Sequence, residues 1–461
     1  MPKKKESHAA PPHERMWRPF GIGAAIGAAC AAASWLGVFS SWNAGVTDRF
    51  FTPIAPDPSI LIVAIDDESI ASVGRWPWDR KVHAELVGAL TKNGARVIGY
   101  DVNFSEPQDA QNDALLADAV SGARLVLPVE LRLDEKDGRS TFSADRVLRP
   151  MPAIAAAAMA LGHTNMPPDA DGVVRSIPVR VTDRADAETV RSFAYEIAAL
   201  ADRAPDLRGL DIGQRLVVRY PGAPTEAFPT ISAKDVLSGN VGASVIRGKI
   251  VLVGSTAPDL HDEQIVPTSD GIPMPGVEMH ASLLNTLLQQ NWLAPVDPWI
   301  LGLLLIAIGA AFGAIIPRMR ARWSLLTAAA LWIGILFAAS VAFDRGLIMS
   351  AFWPTLTIAL AYGGVTIERR VSAERHRRRL KGLLKRYVSP TIVDELLHHP
   401  ERLRLGGERR TMTVLFSDIR GFTSIAEATG PEELVRCLNH YLSRMTDIVF
   451  AHEGVLDKYI G

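Results

Sequence analysis

The sequence predicts a multi-domain membrane protein: an extracytoplasmic α/β domain, four transmembrane helices and a short cytoplasmic α/β segment. Three observations carry this reading. Apolar blocks at 20–42, 299–316, 323–343 and 347–367 have the length needed to cross ~30 Å of hydrocarbon. Basic residues crowd the flanks that would share one side of the membrane. Between the first two blocks, strand-like and helix-like segments alternate over 48–298. The 461 residues carry 49 Lys and Arg against 50 Asp and Glu, so the net charge of −1 hides strong segregation. The mean hydropathy of +0.12 suits membrane spans joined to polar domains. The two cysteines, Cys30 and Cys437, lie too far apart in the chain for a disulfide framework or a CxxC metal site. No nucleic-acid partner is expected.

Lys3, Lys4, Lys5, Arg15 and Arg18 lie in the tail 1–19, ahead of the first block. Arg318, Arg320 and Arg322 separate the second and third blocks, and only Asp344, Arg345 and Gly346 separate the third and fourth. After Ile367 comes ERRVSAERHRRRLKGLLKR, with nine basic residues against two acidic ones. The excess of Lys and Arg on cytoplasmic loops then places the tail, the Arg318–Arg322 loop and everything after Glu368 in the cytoplasm. Residues 48–298 fall outside. Trp35, Trp42, Trp292, Trp299, Trp323 and Trp353 fall near span ends, where interfacial aromatics gather. A cleaved signal peptide is the rival reading of the first block. The run is longer than an ordinary signal core, and no clear cleavage site ends it. Ala28-Ala29-Cys30 resembles a lipoprotein cleavage site but lacks its usual bulky apolar residue. Helices buried in a soluble protein are the rival for the later blocks, and the Arg-rich flanks argue against it.

In the outside segment, 59–66, 97–104, 124–131, 173–181, 215–220 and 249–255 read as strands. Residues 81–93, 112–120, 193–203 and 277–290 have helical spacing of apolar residues. That alternation predicts a sheet covered by helices. Asp66-Asp67-Glu68-Ser69 closes a strand with three acids, and the reading preferred for it is a helix cap. Asp169-Ala-Asp171-Gly172 is half of a calcium loop without the bidentate Glu, so a turn is expected. His261, Asp262, Glu263 and His280 are side chains able to meet a metal, but a structural role is preferred. The stretches AIDDESIASVGRWPWDR (64–80), VIGYDVNFSEPQ (97–108), DADGVVRSIPV (169–179), GKIVLVGSTAPDLHD (248–262) and PMPGVEMHASLLNTLL (273–288) resemble the second type of the CHASE family of extracellular sensor domains. The resemblance implies an unknown extracytoplasmic stimulus and a cytoplasmic output module.

Residues 368–407 begin as a charged helix, the cytoplasmic linker. Leu380, Leu383, Leu384, Tyr387 and Val388 form a short apolar stripe for pairing with a second copy. The alternative is an Arg-rich helix lying on anionic lipid. Pro400 and Gly406-Gly407 break it.

The stretch RTMTVLFSDIRGFTS (410–424) starts as a strand, with Met412, Val414 and Phe416 on one face. Asp418 stands where the strand should emerge. A carboxylate there suits a hard cation such as Mg2+, and Gly421-Phe422-Thr423 opens a helix whose free N–H groups favour phosphate. A plain helix cap explains Asp418 equally well on spacing alone. Gly430-Pro431-Glu432-Glu433 starts the next helix, with Leu434, Leu438, Tyr441, Leu442, Met445, Ile448 and Val449 as its stripe. Gly454 ends it, and 454–461 reads as a new strand.

From Lys385 onward the chain resembles the class III nucleotidyl cyclases, carried by KRYVSPTIVDELLHHPERLRLGGERRTMTVLFSD (385–418), FSDIRGFTSIAE (416–427) and PEELVRCLNHYLSRMTDIVFAHEGVLDKYIG (431–461). The resemblance implies an incomplete ferredoxin-like α/β catalytic domain over 408–461. It assigns Asp418 to catalysis and, with the Ile419 carbonyl, to metal binding: two Mg2+ ions, or Mn2+ in their place. Gly421 and the amides of Phe422 and Thr423 would hold the triphosphate, and Lys458 would read the purine. A lysine there donates to adenine N1, whereas guanylate members carry an acid, so ATP is expected over GTP. The expected whole is a receptor adenylate cyclase of a bacterial inner membrane. It would form a homodimer through linker and catalytic domain and make 3′,5′-cyclic AMP and pyrophosphate. The family's second metal aspartate would follow Gly461, so the chain as it stands is expected to be truncated and inactive. A guanylate cyclase and a non-catalytic scaffold are the alternatives.

Overall fold

The computed structural model describes residues 14–135, 142–183, 188–207, 214–260, 262–384, 411–452 and 454–459. It divides after Tyr362 into two compact units.

The first unit opens with two helices, α1 (Glu14–Trp35) and α2 (Ser40–Asp48). They meet at 90°. The break sits at Gly37 and Phe39, whose φ angles of 70° and 57° leave the right-handed helical region. The single span expected over 20–42 is therefore broken after Trp35, because two left-handed residues cannot continue a helix.

The chain then builds the α/β domain. The elements are β1 (Ile60–Ile65), α3 (Asp67–Val73), α4 (Arg80–Lys92), β2 (Val97–Tyr100), α5 (Ala110–Ser121), β3 (Leu125–Glu135) and β4 (Phe142–Leu148). Next come α6 (Pro152–Ala157), β5 (Ala160–His163), β6 (Ser176–Pro178), β7 (Arg180–Asp183), β8 (Thr189–Arg191) and α7 (Phe193–Leu200). Then follow β9 (Arg215–Val217), β10 (Thr230–Ser232), α8 (Ala233–Leu237), α9 (Ala243–Ile246), β11 (Ile250–Ser255) and α10 (Gly276–Gln289). Strands β10, β1, β11, β2, β3 and β5 run parallel in that order. The second half of β3 instead pairs antiparallel with β4, which extends the sheet through β7 to β8.

The central strands ILIVAI and IVLVGS are apolar but for the terminal Ser255, as a sheet covered on both faces requires. One face packs Ile60, Ile62, Ile250 and Leu252 against Phe193, Ile197, Leu283 and Leu287 of α7 and α10. The other packs Leu61, Val63, Val251 and Val253 with Leu86, Leu90, Leu116 and Val236 of α4, α5 and α8. The expected α/β domain is thus a three-layer α/β/α sandwich. The strand expected at 173–181 splits into β6 and β7, and β6 pairs with β9 in a separate ladder.

Three further helices follow: α11 (Pro298–Ile315), α12 (Ala321–Asp344) and α13 (Phe352–Leu384). Among the described residues two helices, Pro298–Arg318 and Ala321–Asp344, are long and apolar enough to cross a membrane. The bent pair Trp17–Trp35 and Ser40–Asp48 gives a third if taken as one span. The fourth expected block, 347–367, does not form a single helix. Leu347–Ile348 pairs with Ala294–Pro295 as a short parallel ladder. The helix itself starts at Phe352 and runs past Glu368 into charged sequence.

Helices α1 and α11 touch along their glycines. A Cβ at Gly23 would lie 2.0 Å from the Gly309 carbonyl oxygen, and one at Gly27 2.4 Å from that of Leu305. At Gly313 it would lie 2.3 Å from the Pro19 carbonyl oxygen. Numbers rise on one helix as they fall on the other, so the pair is antiparallel. Small-xxx-small spacing on both helices (Gly23/Gly27 and Gly309/Gly313) lets the backbones meet, the packing that apolar solvent favours.

Candidate functional site

The second unit holds the turn singled out by sequence. Residues 411–419 form no helix or strand among the described residues. The expected buried strand is not formed here. Phe416 is 84% exposed and Val414 66%, because a strand buries its faces only with neighbours and a covering layer. The linker stripe from Leu380 to Val388, Pro400 and Gly406-Gly407 include positions outside the described residues or side chains not described.

The turn itself forms as expected. The Asp418 carboxylate accepts the N–H of Ile419 at 2.9 Å. The Ile419 carbonyl accepts the Phe422 N–H at 3.2 Å. Gly421 has φ 74° and caps the helix Phe422–Ala428, a left-handed position that glycine takes without a Cβ penalty. The Gly421 carbonyl accepts the Ile425 N–H at 3.2 Å. Among the described residues no side chain caps this helix, and the N–H groups of Thr423 and Ser424, two of the donors a helix start leaves over, meet no acceptor there. Of the two amides expected at a triphosphate, Thr423 thus has no acceptor among the described residues and Phe422 is engaged in the turn.

Asp418 and Lys458 are both exposed. Lys458 Nζ lies 4.0 Å from Asp457, and no hydrogen bond or ion pair joins it to Asp418 among the described residues. The helix Pro431–Ala451 starts at Gly430 with Pro431 in its first turn and Glu432 and Glu433 at its positive end. Leu434, Leu438, Leu442, Met445 and Val449 are half-buried. Gly454 donates to the Val449 carbonyl at 2.8 Å and closes the helix. The following residues 454–459 carry no strand, for the same lack of a partner. Tyr459 instead returns to the helix, its hydroxyl 2.5 Å from Thr446 Oγ1.

Among the described residues no cluster of three or more His, Cys, Asp or Glu is placed to hold a metal. Asp418 and the Ile419 carbonyl offer two oxygens. That fits Mg2+, which is often bound through one or two carboxylates with water and phosphate completing its shell.

In the α/β domain of the first unit the acid-rich stretches have structural partners. Asp66 caps α3, accepting the Ser69 N–H at 2.8 Å, and Glu68 pairs with Lys234. Asp169 to Gly172 is a turn, with Gly172 donating to the Asp169 carbonyl at 2.9 Å. Arg175 takes its carboxylates, at 3.0 Å to Asp169 and 2.8 Å to Asp171. The same guanidinium donates at 2.9 and 2.8 Å to both oxygens of Asp48, at the end of α2. The hydrogen bonds from Arg175 hold the Asp171 carboxyl below its usual range. Sequence reading missed Arg175; two acids six and four residues before an arginine were the available signal.

His261 lies outside the described residues. His280 Nε2 sits 3.6 Å from Asp101, while His280 Nδ1 is buried and meets no hydrogen-bond partner among the described residues; His163 is buried as well. Burial holds each imidazole neutral, lowering both to about 3. Burial, and then the charge of Asp262, pushes the Asp101 carboxyl up.

The profile of the CHASE2 domain matches residues 25–315. That of the adenylate and guanylate cyclase catalytic domain matches 407–461. An adenylate cyclase of Anabaena cylindrica is 47% identical over 62 residues, 13% of this chain and 12% of that protein. Adenylate cyclase 1 of Rhizobium meliloti is 38% identical over 53 residues, 12% of this chain and 8% of its own length. An uncharacterised protein of Mycobacterium tuberculosis is 33% identical over 91 residues, covering 20% of this chain and 16% of the relative. The chain therefore spans less than a fifth of the curated relatives it matches. No solved structure matches it.

Proposed function

The chain belongs to the CHASE2-domain family, and we propose that it is the sensor, membrane and first catalytic part of a receptor adenylate cyclase. One observation carries the reading: a CHASE2 match over 25–315 and a cyclase catalytic match over 407–461 lie in one chain, separated by apolar helices. In this reading four helices cross a bacterial inner membrane, the sensor domain lies outside and the catalytic segment lies in the cytoplasm. The Lys and Arg flanks of the spans support that orientation.

The catalytic segment would adopt the ferredoxin-like cyclase fold and turn ATP into 3′,5′-cyclic AMP and pyrophosphate. Asp418 and the Ile419 carbonyl would hold magnesium. Magnesium, when bound, would supply positive charge against the phosphates. Asp418 and Ile419 suit one ion, and the second rests on the resemblance alone. The open Thr423 N–H would donate to a phosphate oxygen, and Gly421 gives the turn its close backbone approach. Lys458 would donate to adenine N1 and so disfavour guanine. Exposed Val435, Tyr441 and Ile448 on the helix Pro431–Ala451 support a homodimer, since such faces mark interaction surfaces.

The test is a cyclic nucleotide assay on membranes from a cyclase-free bacterium expressing the complete gene product. Cyclic AMP from ATP is expected. Cyclic GMP alone would replace the substrate, and neither product would leave a non-catalytic scaffold.

A further inference from the structure

We propose that the junction between the sensor domain and the membrane helices binds an uncharged, single-chain amphiphile from the outer leaflet. The inference rests on the membrane reading of α1 and α11. A cavity of ≈ 460 Å3 lies there, within the range of small-molecule sites. Three separate stretches line it: the α1–α2 break, the start of α11, and the strand-to-helix link before α13.

The walls have two characters. Trp35 and Trp299 meet edge to face with centroids 4.2 Å apart, and Trp35 Nε1 donates to the Pro298 carbonyl at 3.2 Å. With Leu301 and Leu304 they form the apolar wall. Across from it Ser350 Oγ donates to Asn43 Oδ1 at 2.5 Å. That bond uses the Asn43 oxygen and leaves its amide NH2 as a donor among the described residues. No charged side chain lines the cavity, so an ionised head would lose its water without a counter-charge. A neutral head that accepts hydrogen bonds meets Asn43 without that cost. An aliphatic tail fits the tryptophan and leucine wall, at the depth where tryptophans mark the bilayer interface.

The location gives such a ligand leverage. α1 enters the sensor domain, α11 leaves it, and α13 leads toward the cytoplasm. A molecule wedged among their ends touches each segment that could carry a signal.

The test uses the full chain reconstituted in phosphatidylcholine nanodiscs. A monoacylglycerol carrying a diazirine on its tail is photolysed and the labelled peptides are mapped. The expected result is saturable labelling confined to 34–43, 295–304 and 348–350, displaced by unlabelled monoacylglycerol. Leu304→Trp, which fills the cavity, should remove the saturable component while the thermal melt stays unchanged. Asn43→Ala should weaken apparent affinity about fivefold, the loss of one neutral hydrogen bond. A diazirine fatty acid, which is charged, should not compete. Non-saturable labelling, equal labelling by a diazirine phosphatidylcholine, or labelling indifferent to Leu304→Trp would overturn the proposal. Carbonate extraction separates the two failures. A chain that washes off membranes defeats the membrane reading, whereas one that stays but fails the labelling test defeats the pocket alone.

Discussion

β11 and residues 411–417 are nearly the same kind of sequence, and they meet opposite fates. IVLVGS has its valines and leucine fully buried. TMTVLFS lies open, with Leu415 76% exposed. β11 has β1 on one side, β2 on the other and a helix layer on each face. The described part of the second unit offers 411–417 no neighbouring strand. An apolar run thus specifies what should be buried, while the neighbours decide whether it is.

The largest effect should come from the helix seam of the first unit. Gly23→Leu drives a side chain into the Gly309 backbone, so the folded chain should not accumulate in membranes. Gly21→Leu, two residues away with open space around it, should accumulate normally. Equal yields by fluorescence-detected size exclusion would break the seam.

Next in size is the Arg175 hub, which ties Asp48 at the end of α2 to Asp169 and Asp171. Arg175 and Asp48 are half-buried, at 12% and 17% side-chain exposure, and removing one partner costs about 3 kcal/mol, the low end for a buried pair. Arg175→Met should lower the unfolding midpoint in urea accordingly. A shift no larger than that of a surface substitution would show that the hub carries little.

The two strands supply the direct contrast. Leu252→Ala, in the fully buried core, should cost about 2–5 kcal/mol. Val414→Ala should stay within about 0.5 kcal/mol, as exposed changes do. If chemical denaturation of the same chain gave equal losses, the contrast between the units would fail.

A pH dependence completes the series. Glu278 accepts N–H groups of Thr225 and Ala227, but burial outweighs them and raises its carboxyl from 4.5 to about 7. The folded state then holds this proton more tightly than the unfolded state. Its contribution to stability is highest below about 4.5 and falls as pH rises toward about 7. His163 and His280, lowered from 6.5 to about 3, act in the opposite sense, adding stability as pH rises across that window. Subtracting the profile of Glu278→Gln from that of the parent isolates the carboxyl. A flat difference between pH 4.5 and 7 would contradict its burial.

Much of the α/β domain was legible because parallel strands covered on both faces read as unbroken apolar runs. Helix starts were legible where an acid caps, as at Asp66. The fork of β3 was not, since β4 and β8 carry polar residues and no simple alternation. Nor was the break after Trp35: in an all-apolar stretch no periodicity marks a change of direction. Arg175 and Asp48 are 127 positions apart, and no local pattern joins them. At the turn after Asp418, Gly421 announced its left-handed conformation. The engagement of the Phe422 N–H by Ile419 depends on backbone geometry that residue type does not encode.

The central claim is that the Asp418 turn serves nucleotide cyclisation behind a membrane-anchored sensor. Its most direct test is Asp418→Ala in the complete gene product, read as cyclic AMP formed by isolated membranes. The account predicts output at the background of the host, with the melt of the α/β domain unchanged. Undiminished cyclic AMP from the variant would contradict it.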